Sequence, residues 1–337
     1  MSLFRRATTQ SLVYSRSKNA SEPLVRRVRM AWLARFALAG LAACSPWSAE
    51  SKLREGGPTP YTRCLAAAPP AARGRRIGEL EFGLRDRILT ITSKHFPLRI
   101  AAFSGAGFGS PVRAPELAKL RQSDAQLLVM LGGLGETQAM AESNAKALAA
   151  LNRPILLLLG GRDSWRVSQS ALETLGESSS IINATALRRV VIANNTLIPV
   201  AGAERGRYAL DEQSCGFAGK DLDAITKELG TPAAFERRWL ISWQAAAGRG
   251  VLPSAARSET GVELGSVELG RFAQRVGVLG ALCAWPAGRP ELAASGPLTA
   301  RLVPRLFGPR LERSDGSRAE PGILSLELDD QGLRVVQ

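Results

Sequence analysis

RIAAFSGAG (99–107), LLVMLGGLGET (127–137) and PILLLLGGRDSW (154–165) share one plan, an apolar run that stops at glycines. Leu127–Leu131 and Ile155–Leu159 are continuous apolar runs, which suits strands buried on both faces. Leu98–Phe103 reads as a third strand, followed by a glycine-rich loop over Ser104–Ser110. Helices are predicted between and after them, over Pro115–Arg121, Thr137–Leu151 and Trp165–Leu175. In the second, Met140, Ala147, Leu148 and Leu151 recur on roughly one face. Strand and helix in alternation imply a parallel sheet covered by helices.

Working outward, Glu79–Leu84 and Arg87–Thr92 read as two strands turning at Arg85-Asp86. Downstream, Val190–Ile192 and Thr196–Val200 form an expected hairpin at Asn194-Asn195, and Asp221–Leu229 an expected helix. Trp239–Trp243, Val276–Leu282, Arg301–Phe307, Ile323–Leu328 and Leu333–Val336 are predicted strands. Helix-linked strands followed by strands in quick succession predict two packed sheets with helices outside. One folded domain is therefore expected over 77–337, and no internal repeat is visible.

The charge lies mostly ahead of that domain. The chain of 337 residues carries a net charge of +14. Residues 1–76 hold 14 Lys/Arg against Glu22, Glu50 and Glu55, a net of +11, which leaves +3 for 77–337. A nucleic-acid surface needs its basic residues clustered on the folded body, and aromatic residues make up only 6% of the chain. Nucleic acid is therefore not an expected partner.

Within the basic stretch, Arg26, Arg27, Arg29 and Arg35 precede the apolar run Phe36–Ala43, which ends at Cys44. The run is too short to span a bilayer but suits the apolar region of a signal peptide, here placed over 1–43. The 29 residues before Met30, rich in Arg and Ser, leave open a translation start at Met30. Leu41-Ala42-Ala43-Cys44 resembles the lipobox of bacterial lipoproteins, which implies acylation of Cys44 and a membrane anchor. Ser45 resembles the outer-membrane sorting signal, so the expected location is the cell envelope, at the outer membrane facing the periplasm. Residues 44–76, with Gly56-Gly57-Pro58 and Pro69-Pro70, read as a tether. Export leaves Cys64, Cys215 and Cys283 in an oxidising compartment, with three pairings open and unpaired burial equally open.

Several catalytic classes fail on residue type. The chain has a single histidine, His95, so a multi-imidazole metal centre is excluded. Ser104 lacks the glycine two residues earlier that a nucleophile elbow needs, and His95 lies beside Pro97. Gly105-Ala-Gly-Phe-Gly109 is one residue short of a dinucleotide fingerprint, and Pro111 and Pro115 delay the helix; a tight structural loop is expected there rather than a nucleotide site.

The three strand ends resemble, in order and spacing, the first motif blocks of calcineurin-like metallophosphoesterases. "WLISWQAAAG" (239–248) resembles the block with a histidine ligand before a turn, and "VGVLGALCAWPAG" (276–288) sits where the family has its last histidine pair. The resemblance covers about 200 residues and implies a four-layer α/β/β/α sandwich with mixed sheets. Its polar residues are mostly replaced. The family's first Asp and His fall on Gly105 and Gly107, the bridging Asp on Gly133, and the Asn and His of the third block on Gly161 and Arg162. The fourth-block His falls on Trp243, and the last pair near Ala284–Pro286. Glycine offers no side-chain donor, and the indole nitrogen only donates a hydrogen bond.

Glu136 and Asp163 remain as candidate ligands for one weakly held cation. Arg162 reads as an anion-binding residue oriented by Asp163, or as half of a local ion pair beside a helix start. Trp165, Trp243 and Trp285 fall near the former motif positions, as core filling, a plug or a groove. The expectation is a non-catalytic envelope lipoprotein with a degenerate metallophosphoesterase-like fold and no cofactor, binding an unknown protein or a small anionic ligand. The alternative is an active phosphoesterase with an acid-only metal site drawing on Glu136, Asp163, Asp211 or Asp221.

Overall fold

The apolar runs become the centre of one of two sheets. The computed structural model describes residues 64, 74–105, 111–176, 179–205, 213–248, 256, 262–285, 296–297, 300–307 and 322–336. The chain divides into two units, Met1–Gly57 and Pro58–Gln337, and every described residue belongs to the second. The signal region with Cys44, most of the tether, Gly107, Asp211 and Pro286 lie outside the described residues, as does the side chain of Trp285.

Strands β1 (Arg75–Ile77), β2 (Leu80–Arg85) and β3 (Ile88–Ser93) lead into β4 (Leu98–Gly105) and helix α1 (Ala114–Gln122). Then come β5 (Leu127–Leu131), α2 (Gln138–Ala149), β6 (Ile155–Leu158), α3 (Trp165–Glu173) and β7 (Ile181–Asn183). The chain continues through β8 (Arg189–Ile192), β9 (Asn195–Val200), the short β10 (Ala203–Glu204) and β11 (Gly216–Phe217), α4 (Gly219–Leu229) and β12 (Arg237–Gln244). Helix α5 (Val267–Arg275) and β13 (Val278–Trp285) follow. The last strands are β14 (Gly296–Pro297), β15 (Ala300–Leu302), β16 (Arg305–Phe307), β17 (Leu324–Asp329) and β18 (Gly332–Val335).

One sheet runs β1-β2-β3-β8-β9-β12-β13-β15, the other β14-β18-β17-β4-β5-β6-β7, with β16 beside the end of β4. Both are mixed: β4 to β7 are parallel, as are β9, β12, β13 and β15 and the pair β3–β8, and the remaining neighbours along each sheet are antiparallel. Every residue of β5, β6 and β9 is buried, and in β5 and β6 these are the continuous apolar runs expected between covered faces. The sheets meet face to face. Trp239 Nε1 on β12 donates to Asn195 Oδ1 at 2.9 Å, and Asn195 Nδ2 donates to the Asp329 carbonyl of β17 at 2.9 Å. Helices α1 to α3 connect the parallel strands of the second sheet, and α2 buries Ala141, Asn144, Ala145 and Leu148 at helical spacing. Helices α4 and α5 pack together, with α5 against β13. The order is helix, sheet, sheet, helix.

Arg238 anchors the start of β12. Its guanidinium is 1% exposed and donates to the carbonyls of Leu229, Gly230 and Val276, at the C-terminal ends of α4 and α5, and to Glu236 Oε2 at 3.0 Å. A cation there complements both helix dipoles. Burial pushes the Glu236 carboxyl up, but bonds from Arg238, Thr196 and the Ala233 N–H outweigh it and hold the carboxyl below its ordinary range.

Four sequence expectations change. Arg301–Phe307 is two strands rather than one. Val303-Pro304 carries the chain from one sheet to the other, since proline supplies no N–H for a continuing ladder. The hairpin turns at Ala193-Asn194, one residue early, because Asn195 is buried and spent on Trp239 and Asp329. Helix α5 was not predicted. Cys64 pairs with Cys215 across a Cα–Cα distance of 5.9 Å, leaving Cys283 as a buried free thiol. The first strand begins at Arg75, within the stretch read as tether.

Candidate functional site at the strand tips

The carboxyl ends of the parallel strands are joined main chain to main chain. Gly105 N donates to Gly132 O at 3.0 Å, and Gly132 N to Leu158 O at 2.7 Å, which links β4, β5 and β6. Gly202 N donates to Leu159 O at 2.9 Å, and Gly160 bridges to Gly202, which joins the tip of β6 to the end of β9 in the other sheet. Side chains on these residues would prevent such an approach. A methyl group built on Gly133 would stand 2.3 Å from the Gly105 carbonyl carbon, and the backbone there has φ +82°. That left-handed conformation favours glycine.

Trp243, 4% exposed at the end of β12, lies on this glycine surface. Methyl groups built on Gly132 and Gly160 would fall 2.2 and 2.5 Å from its Cδ1, and one on Gly161 would fall 2.9 Å from its Cζ3. The indole fills the space where the tips converge. Of the roles open to the tryptophans, Trp243 takes that of a plug. Trp165 instead begins α3, with the Arg166 guanidinium 5.7 Å from its ring centre.

Asp163 is fully buried just beyond the tip of β6. Its Oδ2 accepts N–H bonds from Gly133 and Gly160, both at 2.8 Å, and its Oδ1 accepts one from Gly135 at 3.3 Å. Burial pushes the carboxyl above its ordinary range, and the N–H donors of Gly160, Gly133, Gly135 and Leu134 pull it partly back. The group staples the loop after β5 to the loop after β6.

The other expected residues are engaged in local structure. Arg162 Nε pairs with Glu136 Oε1 at 3.2 Å, both side chains about a quarter exposed. This is the local ion pair, made with Glu136 rather than Asp163. Asp221 Oδ2 accepts the Ala218 N–H at 2.8 Å at the start of α4. Ser104 Oγ lies 3.4 Å from the Pro304 carbonyl, and His95 is exposed in the turn before β4. Sequence reasoning passed over Gly132 and Gly202, although doublets such as Gly132-Gly133 are a readable sign of close backbone approach. It also missed Arg205 and Gln244, for which no local pattern exists.

A two-metal phosphoesterase centre needs carboxylate and imidazole ligands from several strand ends. Gly105, Gly133 and Gly161 bring only backbone here, the Asp163 oxygens are taken by N–H groups, and Glu136 is neutralised by Arg162. Among the described residues no three His, Cys, Asp or Glu side chains gather as a metal site. These residues do not fit the metal pair of the family.

Removing the indole in Trp243→Ala should cost about 3–5 kcal/mol in urea unfolding. Gly160→Ala, which drives a methyl into the ring, should cost about 3 kcal/mol. The double variant should be less destabilised than the sum by about 1 kcal/mol or more, and simple additivity would mean that the two do not touch. Asp163→Asn puts an amide nitrogen where N–H groups need an acceptor and should lose about 2–4 kcal/mol. Because folding raises the Asp163 carboxyl, its contribution is fullest below the ordinary carboxylate range and fades as pH rises through the raised value. The advantage of wild type over Asp163→Asn should therefore be larger at about pH 4 than at about pH 7, and a gap that widens with pH contradicts this.

No protein-family model and no curated protein sequence matches the chain. Among solved structures, one aligns at a TM-score of 0.50 with 13% identity, over 72% of this chain and 99% of its own. The protein TT1561 of Thermus thermophilus aligns at 0.46 with 13% identity, over 71% and 98%. A purple acid phosphatase, PPD1, from yellow lupin (Lupinus luteus) seeds aligns at 0.41 with 12% identity, over 71% of this chain and 52% of that one. Likeness at 0.50 is one of fold alone, and the two lower scores carry no weight. The two packed mixed sheets with helices outside form the α/β/β/α sandwich that the sequence resemblance implies.

Proposed function

We propose that this chain is a non-catalytic lipoprotein of the bacterial cell envelope that binds or scaffolds through a metallophosphoesterase-like domain. The observation that carries the reading is the filling of the strand tips. Trp243, itself where the resemblance implies a ligand histidine, rests on Gly132, Gly160 and Gly161, the last of which falls on the family's ligand Asn, and Asp163 accepts three backbone N–H bonds. Without ligands there is no route to a metal-activated hydroxide.

The envelope location draws on the basic leader, the apolar run and Cys44. The Cys64–Cys215 disulfide supports it, since such bonds persist in oxidising compartments.

Incubation with Mn, Zn or Fe followed by gel filtration should leave well under one equivalent of metal by mass spectrometry. No chelator-sensitive hydrolysis of bis-p-nitrophenyl phosphate should be seen. Stoichiometric metal together with turnover that chelation abolishes would establish the acid-only phosphoesterase instead. Intact-mass analysis of protein from a bacterial membrane fraction should find acyl chains on an N-terminal Cys44, and an unmodified N-terminus upstream of it would remove the lipoprotein part.

A further inference from the structure

Arg205 follows the two-residue strand β10, its backbone N–H donating to the Phe217 carbonyl of β11 at 3.0 Å. Strand alternation puts its side chain on the same face as Ala203, and its Cγ lies 3.4 Å from a methyl built on Gly216, the partner of Ala203. Ala203 Cβ is 2.5 Å from a methyl built on Gly161, so this face of β10 borders the strand-tip site. The Nε and Nη2 atoms of Arg205 are both buried and meet no hydrogen-bond partner. On a planar guanidinium these two N–H groups point the same way, the geometry that grips two oxygens of one carboxylate or phosphate.

Gln244, bonded to the residue before Arg205, carries a second unpartnered donor. It is fully buried at the end of β12, and its Oε1 accepts the N–H of Glu204, the residue before Arg205, at 2.6 Å. That bond fixes the amide with its nitrogen turned away, and Nε2 is buried without a partner. Buried N–H groups of a guanidinium left without an acceptor are costly. Unsatisfied donors, one of them on a fixed charge, call for an acceptor-rich anion.

We propose that Arg205, with Gln244 beside it, forms an oxyanion-binding site at the edge of the strand tips, taking a phosphate or carboxylate group of a ligand. The site rests on the binding reading above and names the chemistry bound.

The test is calorimetric titration of the purified full chain with inorganic phosphate and, separately, with acetate, each against chloride at matched ionic strength. One-site saturable binding of either anion is expected, and which one binds identifies the oxyanion. Arg205→Gln should weaken it tenfold or more. Arg205→Lys, which keeps the charge but loses the paired N–H geometry, should weaken it nearly as much and covers the case in which Arg205→Gln does not fold. Gln244→Leu should weaken it severalfold. No saturable binding of either anion, or equal binding by wild type and Arg205→Lys, overturns the site and leaves the non-catalytic reading standing. Chelator-sensitive diester hydrolysis in the same sample overturns that reading and leaves the site standing.

Discussion

An indole ring pressed onto the backbone of three glycines sets the geometry of this molecule. Trp243 approaches Gly132, Gly160 and Gly161 closer than any residue with a Cβ permits, so its position and their identity depend on each other. The contact lets β12 of one sheet lie over the tips of β5 and β6 of the other. The bridge from Gly160 to Gly202 then ties β6 to the end of β9. Aromatic burial supplies the attraction, and main-chain bonds between the tips supply the register.

Asp163 makes the same junction rigid from the other side. Its carboxyl oxygens accept N–H groups of two loops that would otherwise be buried without acceptors, which offsets part of the cost of burying the group. Arg238 plays the matching part at the opposite end of β12, where carbonyls of two helix ends surround a buried guanidinium. One strand is thus pinned at its start by a buried cation and at its end by an aromatic plug.

Much of the frame was legible because it is written in continuous apolar runs. Leu127–Leu131 and Ile155–Leu159 have no other economical reading, and their terminal glycines marked the tips. Helix α5 was not legible. Gly270 sits in its middle, lowering helix propensity, because a methyl there would fall 2.5 Å from the Ala247 carbonyl oxygen. Tertiary contact decided that residue, and local pattern could not report it. The resemblance placed Gly105, Gly133, Gly161 and Trp243 at strand tips, but the role of Asp163 was ambiguous from sequence: a cation ligand and an N–H staple both call for a carboxylate after a strand. The Cys64–Cys215 pairing spans 151 residues, and no spacing encodes it. Arg205 carried no signal, since an unpaired guanidinium is a property of three-dimensional surroundings.

The proposed anion site and the plugged tips are compatible, because affinity and turnover make different demands. A guanidinium fork grips the oxygens of a bound phosphate or carboxylate in the ground state and, to a similar degree, in any transition state reached from it. Such uniform binding tightens a complex without lowering the barrier. Acceleration needs a group whose interaction grows as the bond breaks; in the metallophosphoesterases that the sequence resembles, that is hydroxide generated between metal ions. The tips would have to supply carboxylate oxygens with free lone pairs, yet those of Asp163 face backbone N–H groups and Glu136 faces Arg162. On the reading proposed above, plugged tips and unpartnered donors suit retaining an anion rather than hydrolysing an ester.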